Sequence, residues 1–516
     1  MKINRALISV SDKRDILELA KGFEKLNIEI ISTGGTAKYL KKNNIKLNEV
    51  TNITKFPEIM DGRVKTLHPN IHAGILAKRE NKEHMNILKE LNIDPIDIVV
   101  CNLYPFEETI KNQKSDWNDI IENIDIGGPT LIRASAKNYK DVIIVTDDDQ
   151  YDHILKLLNK YGDLDINERE KLAIGAFTHT AIYDSIISNY FRDNLTNEIF
   201  PNYKVIPLKR FNEMRYGENP HQKGVFYESI PEIEEACISN SKKLQGKDLS
   251  YNNILDGDCA IECLKEFEDP TCVIIKHATP CGIASHKNMI NAWHDAYATD
   301  TYSPFGGIVS FNRKVDINLA KELSKIFLEV IIAPKFSEDA LKILGEKKNL
   351  RLIQIKNLDK KNLRHAVTIR SVVGGYLIQE RDVKSLNRDR WRTVTKKIPN
   401  EDEFNSMEFA VKCVKHIKSN SVVFVKNTRT VAIGGGQTSR VDAAWIATHK
   451  GKENIKGSIM ASDAFFPFRD GIDIAAEGGV NAIIQPGGSI RDDEVIKAAN
   501  EHKIAMVFTD RRYFRH

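Results

Sequence analysis

The sequence predicts an α/β protein in two parts, and three observations lead there. Short apolar runs alternate with amphipathic stretches through the first ~150 residues, the pattern of a mostly parallel sheet with helices on its faces. A long helical stretch without strands follows and ends in a proline-marked loop. Beyond it, the order strand, Lys, glycine turn, Trp-bearing helix and Pro-Phe loop occurs twice.

Taken in order, ALISVS reads as a buried strand and DILELAKGFEKL as an amphipathic helix. IEIIST is a second strand, and Gly34-Gly35 opens another helix. IDIVVCNLYPF and DVIIVTDD are further strands, each after a helical stretch. INEREKLAIGAFTHTAIYDSIISNYFRDNL is helical. FPNYKVIP, with Pro201 and Pro207, is the expected boundary, giving domains 1–200 and 201–516. In the second domain, TCVIIKHATPCG leads to NAWHDAYA and SPFGG, and SVVFVKNTRTVAIGGG leads to DAAWIATHK and FFPFRDG. These passages predict two related halves, roughly 207–380 and 400–516, with chance similarity of common α/β units as the competing account. LSKIFLEVIIAP and KNLRLIQI read as further helix and strand, and the charged RDVKSLNRDRWRTVTKKIPNEDEF as the connection between halves.

Composition narrows the class. A chain of 516 residues suits about three folding units at roughly 150 residues each. Apolar residues at 41% and charged residues at 28% allow large cores under a soluble surface, and the 8% aromatics argue against a disordered polar chain. A net charge of +4 is too mild for bulk nucleic-acid or membrane-surface binding. No apolar run approaches the ~18 residues of a membrane helix, and MKINRALISVSDKRD turns charged too early for a signal peptide. Seven scattered cysteines form no disulfide framework, so reduced thiols in a cytoplasmic protein are expected. Cys259 and Cys263, four apart on an expected helix, read as packing residues.

Four segments of the first domain carry the residue types of an anion site. They are SVSDK (Ser9, Ser11, Lys13), STGGTAK (Ser32 to Thr36), GRVKTLHP (Arg63, Lys65, Thr66, His68) and DIGGPT (Asp125, Gly127, Gly128) running on to Lys137. Ligands of open parallel sheets sit beyond the carboxyl ends of strands, and a helix opening after a glycine pair offers free N–H groups to a phosphate. A glycine pair alone is more often a turn and a lone Lys a solvated charge; four such segments in one domain favour a phosphorylated small-molecule site. There is neither G-x-x-x-x-G-K-[ST] nor a strand-linked G-x-G-x-x-G, which argues against a nucleoside triphosphate or dinucleotide.

In the second domain, Lys276-His277 is the strongest catalytic pair: it follows a buried strand and precedes Pro and Gly. Histidine suits general-base work, and the neighbouring ammonium can serve as the acid. An exposed Lys beside a structural His is the competing reading. A deaminase zinc site needs H-x-E and P-C-x-x-C. Here Ala278-Thr279 follows His277, and Pro280-Cys281 lacks the second Cys, so no zinc is expected.

The segments SVSDK, STGGTAK, GRVKTLHPNIHAGIL, CNLYPF and DIGGPTLIRASAKN resemble the IMP cyclohydrolase domain of the bifunctional purine-biosynthesis family. The resemblance implies a methylglyoxal-synthase-like fold and closure of formyl-AICAR to IMP with loss of water. It implies catalytic roles for Lys65, Tyr104, Asp125 and Lys137. Ser11, Lys13, Ser32, Gly35, Thr36, Arg63, Thr66, Asn102 and Gly127 match nucleotide-binding positions.

MRYGENPHQKG, IIKHATPCG, SPFGG, KSNSVVFVKN, GGGQTSR, SDAFFPFRDG, QPGGSIRDDE and DRRYFRH resemble the AICAR transformylase part of the same family. That part implies two cytidine-deaminase-like subdomains without zinc, and formyl transfer from 10-formyltetrahydrofolate to AICAR. His277 matches the family's base, Lys276 the group assisting transfer, and Asn420 the residue that positions the formyl group. Arg215, Tyr216, His221, Phe305, Gly306, Arg440, Phe465, Pro467 and Asp470 match positions near nucleotide or folate. Arg512, Phe514 and His516 match a chain end closing over the site, with Arg515 a local variation. The family also implies a homodimer and a structural potassium ion. The competing function is a nucleotide-sensing regulatory domain fused to a deaminase-like enzyme.

Overall fold

The computed structural model describes residues 2–112, 114–196, 198–356, 358 and 367–516. The chain forms two compact units, Met1–Leu208 with Ser229–Pro231, and Lys209–Glu228 with Glu232–His516.

Among the described residues, the first unit holds a five-stranded sheet of β1 (Arg5–Ser9), β2 (Glu29–Ser32), β3 (Asn48–Glu49), β4 (Ile98–Cys101) and β5 (Ile143–Val145). The order is β3-β2-β1-β4-β5 and every pair is parallel. All residues of β4 and β5 are buried, as continuous apolar strands covered on both faces must be. The Ile16–Lys25 helix buries Ile16, Leu19, Ala20 and Phe23, one stripe at helical spacing. The strand-free run is one helix, Ile166–Leu195, opened by Asp165 accepting the Glu168 N–H at 2.9 Å. It packs on the Gly127–Lys137 helix.

The second unit starts with a small sheet of β6 (Leu208–Met214) and β7 (Gly224–Ser229). Its first half holds β8 (Lys242–Gln245), β9 (Thr271–Lys276), β10 (Thr279–Ser285), β11 (Gly307–Phe311), β12 (Leu328–Ala333) and β13 (Arg351–Gln354). A hairpin of β14 (Val367–Val372) and β15 (Gly375–Glu380) follows. The second half holds β16 (Arg392–Thr393), β17 (Val422–Lys426), β18 (Arg429–Gly434), β19 (Ile459–Ser462), β20 (Ala482–Gln485) and β21 (Ala505–Phe508). Among the described residues the halves join in one twelve-stranded sheet, β16-β21-β20-β19-β17-β18-β10-β9-β11-β12-β13-β8. Read outward from the β10–β18 seam, the two orders match strand for strand. The similarity suggested by two short passages therefore extends to the order of every strand in the two halves of this sheet.

Alternate residues of the central strands enter different cores. Val273 and Ile275, with Val423 and Val425, join one core drawn from both halves. Cys272 and Ile274 face a second core, and Val422 and Phe424 a third, each confined to one half.

Two expectations need correction, and one difference between the halves stands out. The Lys and following residues are not glycine turns but tight hairpins: His277 and Ala278 have φ 52° and 56°, Asn427 has φ 52°, and Gly282 lies inside β10. Gly282 is needed there for packing, since a Cβ would sit 2.0 Å from the Ala296 carbonyl oxygen. The charged stretch read as a connection supplies β16, which pairs with β21 at the sheet edge. The two Trp-bearing helices are not equivalent, because Trp293 is 4% exposed and Trp445 56%.

Candidate active sites

In the first unit, the loops after β1, β2 and β4 meet where the strand order reverses, the usual ligand crevice of an open parallel sheet. Asn102 Oδ1 accepts the Ser11 and Asp12 N–H groups at 2.6 and 3.2 Å, and its Nδ2 donates to the Asp12 carbonyl at 3.0 Å. Lys13 Nζ donates to the Ser11 carbonyl at 3.1 Å. Gly34, at φ +56°, turns the chain from β2 into the Gly34–Lys42 helix at no steric cost. A Cβ on Gly34 would lie 3.4 Å from Lys65 Nζ, and one on Gly35 3.9 Å from Lys13 Nζ. Two ammonium groups therefore gather at the positive end of a helix, where a phosphate is best stabilised. Ser32 and Thr36 serve the scaffold: the Ser32 hydroxyl donates to the Ile8 carbonyl at 2.8 Å, and that of Thr36 to the Val10 carbonyl at 2.7 Å.

Asp125 precedes the Gly127–Lys137 helix, and its Oδ1 accepts the Gly128 N–H at 2.8 Å. Burial raises the Asp125 pKa, while the N–H groups of Gly128, Tyr104 and Gly127 and the Lys65 charge pull it back. A Cβ on Gly127 would meet Thr66 Oγ1 at 2.9 Å, which places Thr66 at the same helix start. Lys65, Thr66, Tyr104, Asp125 and Gly127 thus form one cluster. Arg63 is exposed and ion-paired with Glu122. Lys137 does not join the cluster: it is exposed at the far end of the helix, roughly 15 Å along the axis from Gly127. Sequence reading missed Tyr183, whose hydroxyl accepts the Asp125 N–H at 2.8 Å and donates to the Asn123 carbonyl at 3.1 Å. Burial pushes its phenol up to about 12, so it remains a neutral donor. A single Tyr on a long helix carries no signal of such a role.

In the second unit, Lys276 ends β9 and His277 begins the turn to β10. Asp256, on the Tyr251–Leu264 helix, accepts the N–H groups of His277 at 3.2 Å and Ala278 at 2.7 Å, and so holds this turn. Sequence reading missed Asp256 as well, because its partners are backbone groups distant in sequence. The His277 ring is exposed, and Lys276 Nζ donates to the Phe305 carbonyl at 2.7 Å. A Cβ on Gly306 would stand 3.1 Å from that Nζ, so glycine gives the ammonium room. Lys276 and His277 line a cavity of about 270 Å³ with residues of both halves, among them Asp300, Gln437 and Lys450.

Asn420 reaches this place through Gln437, donating from Nδ2 to the Gln437 and Thr438 carbonyls at 3.0 and 3.2 Å. Its Oδ1 accepts from Arg440 Nη2 at 2.7 Å. Arg440, expected beside a ligand, is turned inward and buried: it bonds Ser462 Oγ at 2.8 Å and the buried Asp463 carboxylate. Arg440 and Asp463 thus act as an internal brace, and Asp463 is a further residue that sequence reading did not single out. Arg215, Tyr216 and His221 lie in the loop joining β6 to β7, the Arg215 guanidinium 5.8 Å from the Tyr216 ring centre. Phe305 and Phe465 are exposed, with the Phe305 ring 5.2 Å from that of Phe327. Pro467 is half-buried, and exposed Asp470 opens the Asp470–Glu477 helix. At the chain end Arg512, Phe514 and His516 are exposed, the Arg512 guanidinium 4.7 Å over the Phe514 ring and the His516 ring edge-on to it at 5.6 Å. Tyr513 is buried between them, and its N–H donates to the Asp463 carbonyl at 2.8 Å.

Residues 15–130 match the model of the MGS-like domain, and residues 135–450 that of the AICARFT/IMPCHase bienzyme. The chain is 52% identical to the bifunctional purine biosynthesis protein PurH of Caldicellulosiruptor saccharolyticus, over 99% of both chains. The PurH proteins of Acetivibrio thermocellus and Persephonella marina are 50% and 52% identical, over 100% and 99% of each chain. The chain belongs to the AICARFT/IMPCHase bienzyme family of bifunctional purine biosynthesis proteins.

Proposed function

We propose that the two activities divide between the units. The protein is an AICAR formyltransferase and IMP cyclohydrolase of purine biosynthesis, and the formyl donor is 10-formyltetrahydrofolate. In the second unit the 5-amino group of AICAR attacks the formyl carbon, His277 takes the proton that the amine loses, and the bond to N10 breaks. Lys276, directed by the Phe305 carbonyl, supplies positive charge and a proton towards N10. Asn420 keeps the Gln437–Arg440 turn beside this place and, by exchanging one of its bonds, holds the formyl oxygen. The exposed rings of Phe305, Phe465 and Phe514 offer faces for the pterin. Arg215, Tyr216, His221 and His516 contribute polar contacts to nucleotide and folate, and Gly306, Pro467, Asp470 and Arg512 shape the rim.

In the first unit the carboxamide nitrogen of formyl-AICAR attacks the formyl carbon and the former carbonyl oxygen leaves as water. Asp125 orients the amide and accepts its proton; Lys65 and Tyr104 stabilise the oxyanion. Lys13, Gly35 and the helix end behind them receive the phosphate. The observation that carries this reading is the half-buried Asp125 carboxylate, held by the Gly128 N–H at a helix start beside Lys65. Lys137 contributes only if a second subunit brings it there. The regulatory alternative is not favoured, because the bienzyme match spans both units.

A homodimer is the working form we propose, supported by the apolar exposure of the β14–β15 hairpin at Val373, Tyr376 and Leu377. No helix among the described residues is long and apolar enough to cross a membrane. We place the enzyme in the cytoplasm, where its free cysteines stay reduced. The place we propose for the potassium ion is Ser421 Oγ, which is buried without a hydrogen-bond partner next to the Asp463 carboxylate that Arg440 also binds. Those hard oxygens would hold it, and it would supply fixed charge to the Asn420 turn. The test is an assay of AICAR plus 10-formyltetrahydrofolate, following tetrahydrofolate and IMP. His277→Ala should stop tetrahydrofolate release yet still make IMP from supplied formyl-AICAR, Asp125→Ala should stop IMP yet still release tetrahydrofolate, and loss of both reactions in either variant would refute the division.

A further inference from the structure

Arg515 has no part in the chemistry above, yet it is among the most connected residues of the tail. Its carbonyl accepts the Ser419 N–H at 2.9 Å, and its own N–H donates to Ser419 Oγ at 3.2 Å. Ser419 precedes Asn420, so the chain end is paired with the turn that carries the proposed formyl-positioning residue. The guanidinium reaches two further groups: Nη1 lies 3.0 Å from His416 Nδ1, and Nη2 donates to Cys259 Sγ at 3.2 Å.

Cys259 stands three residues beyond Asp256 on the Tyr251–Leu264 helix, hence on the same face. Asp256 is the residue that holds the His277–Ala278 turn. One residue therefore connects the two halves: its backbone pairs with Ser419 beside Asn420, and its side chain ties His416, three residues before Ser419, to the helix that supports the His277 turn. His416 fixes the direction of this link. Because a guanidinium only donates, Nδ1 must be unprotonated, and the ring proton sits on Nε2, 3.4 Å from Glu266 Oε1. Glu266 also takes Lys415 Nζ at 2.7 Å, which continues the network between helices of the two halves.

We infer that Arg515 is a positioning residue for formyl transfer, setting the Asn420 turn against the His277 turn through Ser419, His416 and Cys259. The inference rests on the proposed placement of both turns in the transfer site. A lysine at 515 can satisfy one of the two side-chain acceptors but lacks the rigid fork that satisfies both. Alanine satisfies neither and leaves the backbone pairing with Ser419 available.

The experiment uses the full-length enzyme and measures kcat and KM of transfer, together with cyclisation of supplied formyl-AICAR. Arg515→Ala should lower kcat of transfer about tenfold or more, with KM for AICAR and folate within about twofold and cyclisation unchanged. Arg515→Lys should recover at least about threefold of that loss. The inference is overturned by an Arg515→Ala kcat within twofold of the parent, by a change confined to KM, by parallel loss of cyclisation, or by a lysine variant no better than alanine. Asn420→Ala, made alongside, separates the two levels. Normal transfer in that variant removes the transfer site from this turn, whereas impaired transfer with a normal Arg515→Ala removes only the role of Arg515.

Discussion

Asp256→Ala removes the carboxylate that holds the His277 turn, and its effect follows from two distances and two backbone angles. Two backbone N–H groups reach that carboxylate, Ala278 at a normal 2.7 Å and His277 at a long 3.2 Å. Hydrogen bonds to a charged acceptor contribute about 1.5–3 kcal/mol each, and the longer one counts at the low end. His277 and Ala278 also stand at φ 52° and 56°, a left-handed conformation that costs non-glycine residues about 1 kcal/mol each. The carboxylate offsets that strain, and without it the turn relaxes and carries the imidazole away from its productive direction. If about 2–3 kcal/mol of this holding energy is expressed in the transition state, kcat/KM for transfer falls roughly 30- to 150-fold. Asp256→Asn, which retains one acceptor, should fall between parent and alanine. Tetrahydrofolate release at limiting AICAR reads the effect, and cyclisation of supplied formyl-AICAR on the same preparation controls for folding. Transfer within twofold of the parent in Asp256→Ala would refute the reasoning.

Four other outcomes follow from the geometry. Gly128→Ala would put a Cβ 2.5 Å from Asp125 Oδ2 and 2.6 Å from Leu103 Cδ2, so cyclisation should drop about 100-fold with transfer intact; normal cyclisation would show the carboxylate is not needed there. Burial already raises the Asp125 pKa and Lys65 lowers it, so the acid limb of the cyclisation pH profile should move to higher pH in Lys65→Met; a downward move contradicts the pairing. Burial works against the Glu266 charge, but His416 and Lys415 outweigh it and hold the carboxyl at about 2. Because this folded value lies below the unfolded one of about 4.3, its stabilisation is full above that pH and lost as pH falls towards about 2. Glu266→Gln should lose about 3 kcal/mol by urea unfolding at pH 7, with a smaller deficit at pH 3, and equal deficits at both would contradict it. Deleting Phe514 to His516 should abolish transfer and spare cyclisation, as separate assays of the two products will show.

The strand-helix alternation of the first unit was legible because its buried strands are continuous apolar runs flanked by amphipathic helices. The candidate site there was legible for the same reason, since its glycines and lysines sit where strands end. The hairpins at Lys276 and Lys426 were misread, because neither His277-Ala278 nor Asn427-Thr428 is a common turn dipeptide, and nearby glycines drew attention instead. Tyr183, Asp256 and Asp463 were invisible because each acts on partners far away in sequence: Asp125, the His277 turn and the Asn420 turn. Arg440 misled for the opposite reason. Its motif marks a site, but its charge is used to brace that site from within.

The seam between β10 and β18 has a consequence for how the second unit comes apart. Ile283 donates its N–H to Thr430 Oγ1 at 2.9 Å across the seam, Thr299 Oγ1 reaches the Thr430 carbonyl at 2.7 Å, and the larger core draws on both halves at once. A fragment ending between the halves would open a central sheet edge and strip half the walls from that core. The two halves therefore lack the independence that their matching strand orders suggest. They should melt as a single cooperative block, and a gene cut between them should yield two aggregating pieces rather than two small domains.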